Sequence, residues 1–227
     1  MEAVGDEREG SMFGGMTMAM ALAAALLSPG AATEERPPPG SVRIEPAVVS
    51  GSGCAVWPTT SVAVAPDNSG FTMSFGSSPV QVGVGSKPGD ARKNCQFAMD
   101  VQVPKGFTYA VTGKEHTGYA HLAKGASGQL TVGHYFEGVS GRSSRTYRFT
   151  GPYDDAWLAS DFDDIGINTY APCGERRYLV LTTELRVDAG TSDPATTTSV
   201  LGLNDMDPGG TATARYRLAW QRCPAVR

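Results

Sequence analysis

The chain has no Cys-x-x-Cys pair, no Gly-x-Ser-x-Gly turn, no glycine-rich phosphate loop and, after residue 32, no long apolar run. The first absence removes a redox dithiol or a paired-cysteine metal knuckle, because both need two sulfurs held close together. The second removes the strained turn that exposes a hydrolase serine, and the third removes the backbone cradle for nucleotide phosphates. A transmembrane helix needs about 18 or more consecutive apolar residues, so none is expected past the N-terminal segment. Apolar residues also fail to recur at helical period over any useful length, which argues against a helical fold. Charge of one sign is scarce too. Beyond residue 32 the chain carries 18 basic against 19 acidic residues, net −1. Nucleic acids and anionic membranes both demand a dense excess of Lys and Arg, so neither is an expected partner.

What is present begins with an export signal. Met16 to Leu27 (MTMAMALAAALL) is too short to span a bilayer but suits a signal-peptide core, and Gly30-Ala31-Ala32 supplies the small residues of a cleavage site. Glu2, Asp6, Glu7 and Glu9 precede it with only Arg8 in opposition, whereas such signals start basic; translation from Met12 or Met16 would remove the conflict. We therefore assign residues 1–32 to a signal peptide and residues 33–49 to a Pro-rich linker, for which TEERPPPG supplies three charges and three successive prolines. Residues 50–227 are assigned to one folded domain.

That domain reads as all-β. In Cys95 to Val103, Cys95, Phe97, Met99, Val101 and Val103 share one face, while Gln96, Asp100 and Gln102 take the other. Tyr178 to Asp188 and Ala212 to Trp220 alternate in the same way. Shorter candidate strands are 62–65, 71–75, 107–111, 130–136, 147–149, 165–170 and 197–203, separated by Gly, Ser, Thr and Pro. About ten strands exceed what one twisted open sheet usually holds, so the expected architecture is a two-sheet antiparallel β-sandwich, jelly-roll or immunoglobulin-like. Cys54, Cys95, Cys173 and Cys223 are expected to staple it as two structural disulfides, in keeping with an oxidising compartment. The expected pairs are Cys54 with Cys95 and Cys173 with Cys223, although four cysteines allow three connectivities and spacing does not choose among them.

Several blocks in order carry a resemblance: Ser50-Gly-Ser-Gly-Cys54, Gln81 to Pro88, Arg92-Lys-Asn-Cys-Gln96, Pro104 to Tyr109, Gly118-Tyr-Ala-His-Leu122, Phe149 to Pro152 with Asp154-Asp155, Ala171-Pro-Cys-Gly174, Glu184 to Val187, and Trp220 to Pro224. Together, over nearly all of 51–224, the chain resembles the exported four-cysteine family of filamentous bacteria and fungi catalogued as domain of unknown function 4360. The resemblance implies secretion and a shared fold. It implies no chemistry, because that family has no assigned activity.

The densest functional candidate is the segment 153–164, expected as an acidic loop in which Asp154, Asp155, Asp161, Asp163 and Asp164 surround Trp157 and Phe162. Carboxylates suit Ca²⁺, and an exposed Trp157 would stack on a sugar ring; the plainer alternative is a surface loop anchored by Trp157. The stretch 204–210 reads as a turn. A hairpin turning near 125–128 would set His116 opposite His134 on one face and His121 on the other, but two histidines do not complete a zinc site, so surface or cross-strand histidines are expected. Arg142, Arg145 and Arg148 read as a solvated strand edge. The resulting expectation is a secreted monomer without a cofactor. It would bind an extracellular polysaccharide, cell-wall component or protein non-catalytically, with no membrane partner once the signal is removed. A secreted hydrolase using carboxylates of 154–164, and a structural or protective exoprotein, are the rival readings; a cleft with two converging carboxylates would mark the hydrolase.

Overall fold

The computed structural model describes residues 35–54, 60–162, 169–203 and 211–224. The expected signal peptide, residues 165–168 of the strand expected at 165–170, Asp163, Asp164 and the 204–210 turn lie outside them, and Thr169 and Tyr170 are not in a strand. Twelve strands follow in order: β1 (Arg43–Ser50), β2 (Ser61–Val64), β3 (Gly70–Gly76), β4 (Val80–Gly83), β5 (Arg92–Gln102), β6 (Phe107–Leu122), β7 (Ser127–Phe136), β8 (Ser143–Thr150), β9 (Tyr153–Phe162), β10 (Leu179–Asp188), β11 (Thr198–Gly202) and β12 (Thr211–Arg222). Among the described residues the only helical element is a single 3₁₀ turn at Pro88–Ala91.

The strands form two antiparallel sheets, one of five strands ordered β1-β5-β10-β7-β8 and one of seven. In the larger sheet the path is β2-β3-β12-β6-β11-β4, and β9 pairs with β6 as well. Alternation puts Cys95, Phe97, Met99 and Val101 of β5 and Leu179, Leu181, Leu185 and Val187 of β10 into one buried layer. Met73, Phe75, Tyr109, Ala214 and Tyr216 form the opposing layer. The layers interlock: Phe75 of β3 meets Phe97 of β5 edge-on at 4.9 Å, and Tyr109 of β6 meets Phe136 of β7 at 5.4 Å. Burying each such large apolar side chain stabilises the fold by about 1.5–3 kcal/mol, which is why the period-2 pattern sets the architecture.

Two segments differ from the sequence expectation. Residues 43–49, assigned to the linker, form with Ser50 an edge strand paired to β5, and Val42 and Ile44 are buried there. Pro46, which cannot donate to a ladder, sits where the β1–β5 register shifts. The Pro-rich segment is also seated on the domain. Asn68, fully buried at φ +59° in the turn between β2 and β3, donates its side-chain amide to the carbonyls of Pro37 (3.1 Å) and Pro38 (2.9 Å). Arg36 reaches Asp67 at 2.9 Å, Glu35 pairs with Arg222, and the Trp220 indole donates to the Asn68 carbonyl at 2.7 Å. Polar groups of a β-turn thus take up carbonyls that a linker would leave to water.

The disulfides join Cys54 to Cys95 and Cys173 to Cys223, with Cα atoms 5.2 and 5.7 Å apart. The first clamps the crossover from β1 to β2 onto β5. The second ties the segment entering β10, in the smaller sheet, to the end of β12 in the larger. They close loops of 41 and 50 residues, so the chain-entropy model gives about 4 kcal/mol for each. The expected outcome for a Cys173→Ala, Cys223→Ala double variant is a loss of about 4 kcal/mol of unfolding free energy in urea titration; an unchanged midpoint and slope would refute a stabilising role.

Candidate functional site

The acidic segment is not a loop. Its residues 153–162 form β9, paired along its length with β6 from Leu122↔Tyr153 to Gly113↔Phe162. Alternation then divides its side chains between two faces. Trp157 points inward and is buried, where its ring covers Gly118 of β6; a Cβ on Gly118 would run into the indole. Trp157 therefore cannot serve as the exposed sugar platform expected of it. Neighbours Asp154 and Asp155 fall on opposite faces, and Asp161 faces inward. Among the described residues, Asp154, Asp155 and Asp161 do not converge on one cleft.

Asp161 instead completes a polar row inside the sandwich. Directly across the ladder lies Lys114 of β6, whose side chain is 1% exposed and whose Nζ is 3.5 Å from Asp161 Oδ2. The ammonium also donates to Ser143 Oγ of β8 at 2.6 Å and approaches His134 Nδ1 of β7 at 3.5 Å, bridging the two sheets. Arg145 of β8 comes to 3.9 Å from Asp161 Oδ1. One step along β6, His116 is buried with its Nε2 3.5 Å from the Tyr216 hydroxyl and its Nδ1 without a partner among the described residues. Desolvation, then the neighbouring Lys114 charge, pushes His116 down to about 4; burial raises Tyr216 far above its ordinary range. His116 and His134 do both face inward, but from different sheets. The turn at residues 123–126 passes the chain from the larger sheet to the smaller rather than closing a hairpin, and both histidines are buried, not surface groups. The sequence signal available was Lys114 in phase with His116 and Ala120.

The opposite face of the larger sheet carries an open groove of about 410 Å³, within the size range of small-ligand sites. Its floor is Gly70, Thr72 and Gly113, one bank is Ala65 and Pro66, and Phe162 forms the other. Gly113 is what lets Phe162 lie there, since a Cβ at that position would sit 2.8 Å from the ring. The ring is 51% exposed and carries the Arg217 guanidinium at 4.3 Å from its centroid. Arg215, one inter-side-chain step along β12, holds Glu115 at 2.8 Å. Leu158, 63% exposed, lies on the same outer face of β9. An aromatic ring beside guanidinium forks and hydroxyls is suited to hold a flat, partly apolar ligand by stacking and hydrogen bonds. Phe162 was noted in the sequence only as a neighbour of Trp157, because parity along β9 was not visible while the segment read as a loop.

The remaining candidates are dispersed. His121 is exposed, with Nδ1 3.1 Å from Asp154 Oδ1, and the Tyr119 hydroxyl donates to the same carboxylate. Those two contacts, the Tyr119 bond first, hold the Asp154 carboxyl below its usual range. No group of three or more His, Cys, Asp or Glu side chains able to hold a metal occurs among the described residues. Of the three arginines on and before β8, an edge strand, Arg142 stacks on Tyr135 at 3.9 Å and Arg145 reaches Asp161.

Residues 40–223 match the family described as Domain of unknown function (DUF4360), and the chain belongs to it. A protein of the fungus Arthroderma benhamiae named "Uncharacterized secreted protein" is 28% identical over 188 residues, covering 82% of this chain and 74% of that protein. A solved structure of TmCBM61 in complex with beta-1,4-galactotriose aligns over 81% of this chain and 89% of that one at 13% identity. Its TM-score of 0.24 is too low to support any conclusion.

The interior row makes two predictions. Asp161→Asn leaves the Lys114 charge buried without its carboxylate and is expected to cost about 3 kcal/mol in urea unfolding, whereas Lys114→Met with Asp161→Leu recovers most of that loss. Equal stability of wild type and Asp161→Asn would refute the pairing. For His116, the unfolded chain takes up the proton near pH 6.5 and the folded protein only near 4. The contribution of His116 is thus complete above pH 6.5, and about 3 kcal/mol of stability is lost as pH falls towards 4. His116→Leu should flatten the stability profile of the protein between pH 6.5 and 4, measured as the difference between the two unfolding curves.

Proposed function

We propose that this chain is an exported, non-catalytic binding module that holds a carbohydrate or cell-wall polymer in the groove on the outer face of the larger sheet. The apolar leader ending at Ala32, two disulfides and a relative named as secreted support export. Residues 1–32 are then the signal peptide that is removed, and the exported chain acts as a monomer. The observation that carries the binding reading is Phe162, a half-exposed ring over a glycine floor, flanked by Arg217 in a groove open across β2, β3, β12 and β6. Large rings left at a surface cost solvation unless something covers them, and this one is braced from beneath by Gly113 and from the side by a cation. The binding site therefore moves from Trp157 to Phe162. Asp161 is engaged with Lys114 and the Asp154–Asp155 pair is split between faces, so the described carboxylates of this segment favour binding over hydrolysis.

The two aromatic residues of β9 separate the readings experimentally. In depletion assays on insoluble glucan, galactan, chitin and polyuronate gels, wild type is expected to bind at least one polymer, and Phe162→Ala to bind it about tenfold more weakly or worse. Trp157→Phe should keep that affinity while lowering the melting temperature, because its ring is interior. Undiminished binding by Phe162→Ala would refute the groove as the site, and no binding to any polymer by wild type would refute the carbohydrate reading.

A further inference from the structure

Building on the groove as the binding site, we infer that its ligand is an acidic polysaccharide, one whose uronate carboxylate is taken by Arg217 while the sugar's C–H face lies on Phe162. The groove carries two guanidinium groups, Arg215 and Arg217, against one carboxylate, Glu115. Lys114 also lines it, but its ammonium is turned to the interior, 2.6 Å from Ser143 Oγ. Arg215 is neutralised by Glu115 at 2.8 Å. Arg217 is exposed, stacks on Phe162 at 4.3 Å and has no carboxylate partner among the described residues. Among the described residues the groove is therefore one negative charge short of neutral, and the unmatched cation lies beside an aromatic face.

That combination selects among ligands. A guanidinium fork binds a planar carboxylate through two parallel hydrogen bonds, and stacking on Phe162 holds the fork in place at little entropic cost. A neutral sugar would cover the ring but leave Arg217 unanswered. A nucleic acid offers tetrahedral phosphates set apart from its flat bases, and this surface lacks the dense basic excess that such a ligand needs. A polymer whose uronate rings carry a planar carboxylate beside an apolar C–H face satisfies both groups.

The test is titration calorimetry of the full mature protein with oligosaccharides of polygalacturonate, alginate and hyaluronate. Each is compared with the same oligosaccharide after methyl esterification, which removes the charge and keeps the ring. At least one free-acid form is expected to bind about tenfold more tightly than its ester, with the preference shrinking in 0.5 M salt as screening requires (about 4 Å Debye length). Arg217→Gln should abolish the preference, the free acid then binding no more tightly than its ester, and Phe162→Ala should weaken both forms; circular dichroism confirms that each variant is folded. Equal affinity of wild type for acid and ester, or a preference that survives in Arg217→Gln, overturns the uronate assignment and leaves the groove reading standing. Failure to bind these sugars or any neutral polymer overturns both.

Discussion

A lysine ammonium enclosed between two sheets is the constraint on which the geometry of this protein's larger sheet turns. Lys114 cannot stay charged in that interior without a carboxylate and further acceptors, since an unpaired buried ion costs several kcal/mol. Asp161 supplies the carboxylate from the adjacent strand, and Ser143 and His134 supply contacts from the opposing sheet. Once Asp161 must face inward, strand alternation leaves no freedom for its neighbours. Trp157, four residues earlier, faces inward as well, and Phe162 faces out. A one-residue slip of β9 would bury Phe162 and Leu158, expose Trp157 and strand Lys114 without its counter-ion.

The glycines of β6 turn that register into shape. Gly118 makes room for the Trp157 ring on the inner face, and Gly113 makes room for Phe162 on the outer. Each aromatic covers the bare backbone of a cross-strand glycine, an arrangement that offsets the weak strand propensity of glycine. The pair of strands is thus pinned by one ion pair and two ring-over-glycine contacts. The same contacts that hold β9 in place also hold the groove's aromatic wall at a fixed height above the sheet, preorganisation on which the proposed binding would draw.

A second set of constraints acts at the N-terminal side of the domain. Asn68 sits in a left-handed turn, a conformation that asparagine tolerates better than most residues, and gives its amide to two proline carbonyls. Trp220 in turn holds the Asn68 carbonyl. Proline lacks an N–H, so a proline run is easily docked through its carbonyls alone. Composition made residues 35–40 look like a free spacer because composition reports what a segment can bury, not which acceptors a distant turn can satisfy.

How legible the protein was depended on how local the physics is. Period-2 runs such as Cys95 to Val103 disclosed the all-β class, the main core strands and the need for two facing sheets, because alternation is a property of neighbouring residues. Thiol count and spacing disclosed a disulfide-stapled chain, and the matched blocks disclosed the family. Strands β1, β4 and β9 were missed: β1 and β9 carry proline or several aspartates, and β4 is framed by Pro79, Gly83 and Gly85. What tertiary structure alone decided was the inward turn of Lys114 and Asp161, the burial of Trp157 and the emergence of Phe162 and Arg217 as a surface pair. Sequence by itself determined which residues could alternate; the face each one took followed from a charge that had to meet its partner across a ladder, and that partner stands 47 residues away.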